Sequence, residues 1–183
     1  ISARALELTI LTACRSGEVR GARWSEFDLD RKLWTIPAER MKAKREHEVP
    51  LSEVAIALLT AMPKVSDIVF AGRKGQPLSD MALTNVIRRM LALDVAEWVD
   101  VHGKRITVHG FRSTFRMWAA EATNYPREVA EHALAHRLPD TVERAYQRGS
   151  QFTKRTALMD EWSAFCDKDQ MESVVMPIRG AVG

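Results

Sequence analysis

A chain of 183 residues with 46% hydrophobic content carries enough apolar material for one packed core, so one domain is expected. Its formal charge of +3 suits an acidic partner without naming one, and its two cysteines, Cys14 and Cys166, lie far apart, which argues against a disulfide framework or a zinc site. No apolar run approaches the ~20 residues of a membrane span and no secretory signal opens the chain, so a soluble, cytoplasmic protein is expected.

In chain order, Leu6, Ile10, Ala13 and Cys14 recur at helical spacing, and the run is already in mid-pattern at Ala5, as if the chain were cut from a longer protein. Ser16-Gly17 predicts a second helix over 18–24 and leaves Arg15 at a helix junction. Residues 33–36 and 47–51 read as short strands, with Pro37 and Pro50 at their edges and the charged stretch 40–46 exposed between them. Ser52 predicts the N-cap of a helix reaching Leu59, with Pro63 as its stop. Residues 68–70 predict a third short strand, 72–77 a turn, and Ser79 the start of a helix through Leu91.

The stretch 94–105 is poorly patterned and reads as a loop or insertion. Helices are predicted over 107–122, 127–136 and 141–148, interrupted at Pro126 and Pro139, then over 154–165; residues 171–183 carry no period and read as a flexible tail. Trp24, Trp34, Trp118 and Trp162, with Met41, Met81, Met90 and Met117, fall within patterned elements and are expected in the core. The sum is a mainly α fold with a small antiparallel β-sheet.

Three basic or imidazole centres stand at unusual places: Arg15 at a helix junction, His109-Gly110-Phe111-Arg112 at a helix start, and His136 before a proline-bearing turn, with Tyr146 ten residues on. His109 and Arg112 share a helix face, and the amides of a helix N-terminus add partial positive charge, a combination that suits a phosphate. Any one of these residues alone is more often a solvated or hydrogen-bonded structural group. Their order and spacing carry the reading.

The strings TACRSGEVRGARW, RMKAKREHEVPLS, HGFRST and LAHRLPDTVERAY, in this order, resemble the successive motif boxes of the tyrosine recombinase catalytic domain, over 6–165. The likeness is nearest to integrases of prophages and genomic islands, which carry similar ARWSEFDLD, LWTIPAERMK and HGFRST strings. The resemblance implies that family's fold, a catalytic domain over 1–170, a tail over 171–183, and upstream core-binding and arm-binding domains outside this chain. It assigns Arg15 and Arg112 as the two phosphate-binding arginines, Glu18 as the carboxylate supporting Arg15, His109 and His136 as the active-site histidines, and Tyr146 as the nucleophile. The hairpin lysine falls at Lys42, the preferred match, or at Lys44. Ala13-Cys14 stands where relatives often show a glycine, and Arg148 where many have a histidine.

The resemblance implies a chemistry as well. Two guanidiniums would grip the non-bridging oxygens bidentately, His109 would take the tyrosine proton, the lysine would protonate the departing 5′ oxygen, and His136 would hydrogen-bond a non-bridging oxygen. No cofactor or metal is implied, and the sequence lacks a P-loop or a magnesium-type acidic cluster. Arg40, Lys44, Arg45, Arg73, Lys74, Arg88 and Arg89 are expected to contact DNA phosphates. Expected partners are double-stranded attachment sites, a tetramer assembled on DNA, and accessory bending or excision factors in the bacterial nucleoid, with Leu158, Trp162 and Phe165 as a face that docks onto a neighbour. A non-catalytic DNA-binding module and a type IB topoisomerase-like relaxing enzyme are the alternatives.

Overall fold

The computed structural model describes residues 1–93, 99, 103–136 and 151–167. Helix α1 (Ser2–Thr12) buries Ala5, Leu8 and Leu11 and stops at Ala13, whose φ of 50° is left-handed. Helix α2 (Ser16–Arg20) starts two residues earlier than predicted and ends before Gly21. The reason is local. Glu18, at its third position, reaches back to accept the Arg15 amide at 2.7 Å, and Trp24 opens a separate 3-10 turn instead of extending the helix.

That turn feeds a three-stranded antiparallel sheet of β1 (Phe27–Asp28), β2 (Leu33–Ile36) and β3 (His47–Pro50), in the order β1-β2-β3. Trp34 is fully buried at its centre, opposite Phe27 and Val49, and stacks on Phe27 at 5.0 Å. Pro50 pairs with Leu33 at the end of edge strand β3, where a missing amide is tolerated. The third strand is therefore Phe27–Asp28 and not 68–70. Residues 68–70 are as apolar as a strand because they are core: Phe70 is fully buried, while the backbone meets the chain after α2 through Val69 N–H to the Ala22 carbonyl at 2.9 Å.

Helix α3 (Glu53–Thr60) starts as predicted, with Ser52 Oγ accepting the Ala55 amide at 3.3 Å. Helix α4 (Ala82–Leu93) begins three residues after Ser79, whose carbonyl accepts the Ala82 amide in a preceding turn. Helix α5 (Gly110–Glu121) begins after a turn in which Gly110 N–H bonds Thr107, leaving His109 as the N-cap. Helix α6 (Arg127–Ala133) is shorter than predicted because Ala135, at φ 50°, reverses the chain. The amides of Ala135 and His136 bond back to His132 and Glu131 at 3.1 and 2.9 Å, a Schellman closure with alanine in the left-handed position usually held by glycine.

Helix α7 (Phe152–Asp167) packs on α6, α1 and β3. Leu158 and Trp162 are buried in this chain's own second core cluster with Phe115 and Val129, and Trp162 donates its indole N–H to the Ile10 carbonyl at 2.8 Å. The docking face expected on α7 is corrected accordingly: two of its three residues are satisfied internally, and Phe165 stacks on Trp162 with ring centres 5.6 Å apart. Met41 lies in the core, but Met81, in the turn before α4, and Met117, on the outer face of α5, are exposed. Among the described residues no helix is long and apolar enough to cross a membrane. The predicted helix over 141–148 and the tail over 171–183 lie outside the described residues.

Candidate active site

The short helix α2 positions the first arginine. Glu18 is 5% exposed and uses both carboxylate oxygens on Arg15, one on its amide and the other on Nη1 at 2.9 Å. A carboxylate held this way fixes the direction of the guanidinium while leaving its remaining donors to an outside group.

Arg112, in the first turn of α5, is 4% exposed. Its Nη1 donates to the carbonyl of Ala13 and its Nη2 to the carbonyl of Leu134 at 2.8 Å, so one side chain fastens the C-terminal ends of α1 and α6. A cation at two helix C-termini is favourably placed against both dipoles. Burial, and then the nearby Arg15 charge, lower its pKa, yet an arginine starts so high that it stays charged. Each clamped helix ends in a left-handed alanine, Ala13 or Ala135, directly followed by a segment that delivers a site residue, Arg15 or His136.

His136 stands between a cation and an anion. Its Nε2 lies 3.3 Å from Arg112 Nη2, and its Nδ1 lies 2.7 Å from Glu131 Oε2. Glu131 is buried and also receives Arg116 Nε at 2.8 Å, with Arg127 Nε at 3.5 Å. Burial opposes ionisation of this carboxyl, but the hydrogen bonds from His136 and Arg116 outweigh it and hold its pKa below the usual value.

Arg15, Lys42, Ala43, Arg127, Glu131, Ala135 and His136 line one cleft of about 550 Å³. Arg15 comes from the α1–α2 junction, Lys42 from the β2–β3 connection, and Arg127 and His136 from the two ends of α6. The cleft thus collects cationic and imidazole groups from three separate stretches of sequence around a single carboxylate. Lys44, left-handed at φ 54°, does not line it. His109 is exposed at the α5 N-cap, also outside the lining residues, and Tyr146 lies outside the described residues.

Two participants escape the sequence reading besides Glu131 and Arg127. His47 of β3 points its Nε2 at the Ala133 carbonyl, 3.3 Å away, next to the carbonyl that Arg112 holds. Burial, then the Arg155 charge, push its pKa down to about 4, so it is a neutral donor at ordinary pH. Arg155 in turn ties α7 to β3 through the Glu48 carbonyl at 2.5 Å. The only sequence signals for these are weak: a polar residue in an edge strand, and a carboxylate one turn before His136.

Of the expected DNA contacts, Lys44, Arg45, Arg73, Lys74, Arg88 and Arg89 are exposed. Arg40 is not available in the same way and is corrected to a structural residue: Nη1 pairs with the largely covered side chain of Glu26, Nη2 donates to the Glu18 carbonyl, and the Arg40 side chain is itself mostly covered.

The sequence pattern of the phage integrase family matches residues 2–151. The chain belongs to the phage integrase family. Prophage integrase IntA of Escherichia coli K12 is 32% identical over 172 residues, which are 91% of this chain and 39% of that integrase. Prophage integrase IntZ of the same strain is 34% identical over 167 residues, 89% of this chain and 39% of the relative. The chain therefore spans about two fifths of the length of these curated relatives. The integrase from mycobacterium phage Brujita superposes with a TM-score of 0.67 at 15% identity, covering 90% of this chain and 52% of that one. A lambda integrase dimer bound to a COC′ core site matches with a TM-score of 0.53 at 22% identity, over 82% of this chain and 42% of that one. The integrase fold is thus shared, as the motif boxes imply.

Proposed function

We propose that this integrase chain is the catalytic domain of a site-specific recombinase that cleaves and rejoins double-stranded DNA through a covalent 3′-phosphotyrosyl link to Tyr146. The observation that carries the proposal is the cleft in which Arg15, Lys42, Arg127 and His136 converge with buried Arg112 behind them. A phosphodiester under attack gathers negative charge on its non-bridging oxygens, and cations already gathered around one position stabilise that charge without having to be brought together at the moment of reaction.

The roles divide by geometry. Arg15, steadied by Glu18, has donors to spare and takes the oxygens directly. Arg112 spends Nη1 and Nη2 on carbonyls, so the two-pronged grip expected from residue type gives way to a fixed positive charge; its Nε has no partner among the described residues. Lys42 is favoured over Lys44 as the acid for the departing 5′ oxygen because it lines the cleft. In the first step the Tyr146 oxygen bonds to phosphorus, the bond to the 5′ oxygen breaks, Lys42 gives that oxygen a proton, and His109 takes the tyrosine proton. A 5′ hydroxyl then attacks the phosphotyrosyl link and reseals the strand.

In this scheme the partners are paired DNA sites and further copies of the protein assembled on them. The test is incubation with DNA nicked so that the cleaved end is lost, followed by denaturing electrophoresis. A protein–DNA adduct that disappears in Tyr146→Phe is the expected result. Its absence from the unsubstituted chain, with adjoining domains restored, would move the function to DNA binding without cleavage.

A further inference from the structure

We propose that Glu131 is a positioning residue that holds the proton of His136 on Nδ1 and keeps the Nε2 lone pair turned to Arg112, so that the ring can donate to a phosphate only once it is protonated; this deepens, and rests on, the recombinase reading. The two imidazole nitrogens meet opposite surroundings. Glu131 is buried and ionised, can only accept, and stands 2.7 Å from Nδ1. Arg112 can only donate, and stands 3.3 Å from Nε2. One arrangement of the neutral ring satisfies both neighbours: a hydrogen on Nδ1 and a lone pair on Nε2. The opposite tautomer would set a lone pair against a carboxylate and an N–H against a guanidinium, losing two hydrogen bonds at once.

The carboxylate is itself held from three sides. Arg116 of α5 reaches one oxygen at 2.8 Å, Arg127 approaches the same oxygen at 3.5 Å, and the other oxygen is left to His136. The backbone adds a further constraint, because the His136 amide closes the helix end on the Glu131 carbonyl at 2.9 Å. The closure of α6 thus fixes the backbone of His136 beside Glu131, and the Nδ1 contact sets how the ring is turned. Such an arrangement of imidazole and buried carboxylate is a recurrent way to fix which ring nitrogen faces the chemistry.

The same geometry states how His136 meets DNA. With its hydrogen on Nδ1, the neutral ring offers a phosphate no donor at Nε2. It becomes a donor there only as the imidazolium, whose charge Glu131 balances at hydrogen-bond distance.

The experiment reads the ring directly. The 183-residue chain, labelled in its histidines, is studied by nitrogen-15 NMR at a pH where His136 is neutral, beside Glu131→Ala and the near-isosteric Glu131→Gln. The expected spectra show an Nδ1–H ring in the unsubstituted chain, shifted toward Nε2–H in Glu131→Ala and in Glu131→Gln, whose one oxygen stays with Arg116 and Arg127 and turns its amide nitrogen to Nδ1. An Nε2–H ring in the unsubstituted chain, or unchanged proton placement in a folded Glu131→Ala or Glu131→Gln, overturns the proposal. Adduct formation on nicked DNA is read alongside at saturating DNA, with Glu131→Ala expected to be about 10-fold or more slower. Failure of the unsubstituted chain to form any adduct would count against recombinase function, whereas the NMR result would still decide the role of Glu131.

Discussion

His47 offers the sharpest test of how the cleft is held together. The ring lies in β3 with Nε2 on the Ala133 carbonyl, and burial keeps it neutral down to a pKa of about 4 against an ordinary 6.5. An unfolded chain therefore binds this proton first, so the stability His47 contributes is complete above about 6.5 and is lost as the pH falls from there toward 4. Applying those two values, the loss at about pH 5 amounts to about 2 kcal/mol, a large share of the ~5–15 kcal/mol that keeps a domain folded. His132 is shifted in the same direction by burial, and acidic groups add their own dependence. The comparison must therefore be with His47→Gln, which keeps an N–H for Ala133 but does not titrate. Urea unfolding of both proteins at about pH 7.5 and about pH 5 should show the unsubstituted chain losing about 2 kcal/mol more than the variant. Parallel losses would refute the argument, because they would mean that the ring titrates alike folded and unfolded.

Three other outcomes are expected. Arg112→Ala should cost about 2–5 kcal/mol in urea unfolding, since it strips donors from two buried carbonyls as well as removing a charge; a loss below about 1 kcal/mol would contradict the clamp. Arg40→Ala should destabilise by about 1–3 kcal/mol, by removing the ion pair of the covered Glu26 carboxylate and a donor to the Glu18 carbonyl, while leaving the salt dependence of DNA binding unchanged. A lowered salt slope in a titration of that variant would restore Arg40 to the DNA-facing set. Lys42→Ala should slow adduct formation on nicked DNA by about 100-fold or more, and Lys44→Ala by less than about 10-fold, with equal effects counting against the choice between them.

The elements most legible in the sequence are those decided by neighbours along the chain. Ser52 caps its helix, Pro50 ends its strand, and Arg15 falls at a junction because the apolar period breaks there. The residues that resist such reading depend on distant partners. Ile68, Val69 and Phe70 have the composition of a strand, but their backbone partners lie in the loop after α2, some forty-odd residues back, and make only an isolated bridge. Arg40 resembles any exposed cation in sequence, and only the fold brings Glu26 and the Glu18 carbonyl to claim it. Leu158 and Trp162 have the right period for a docking face; only the tertiary fold tells that their apolar stripe is covered by this chain's own α5 and α6. Glu131 and His47 carry no motif signal of their own, because what they do is defined by the ring and the carbonyl across from them.

The Arg112 clamp also bears on the order in which the site comes into being. Its acceptors lie 99 residues back at Ala13 and 22 residues ahead at Leu134, so the bonds wait for two loops of very different length to close. Synthesis proceeds from the N-terminus, and a nascent chain that has reached only α4 already carries Arg15 and Lys42 yet has neither the clamp nor the segment bearing His136. Long-range contacts of this kind form late. A chain assembled around such a joint gains its cleft and much of its stability together, so on the proposed reading a half-made or partly unfolded copy lacks the complete set of groups that would hold a DNA phosphate.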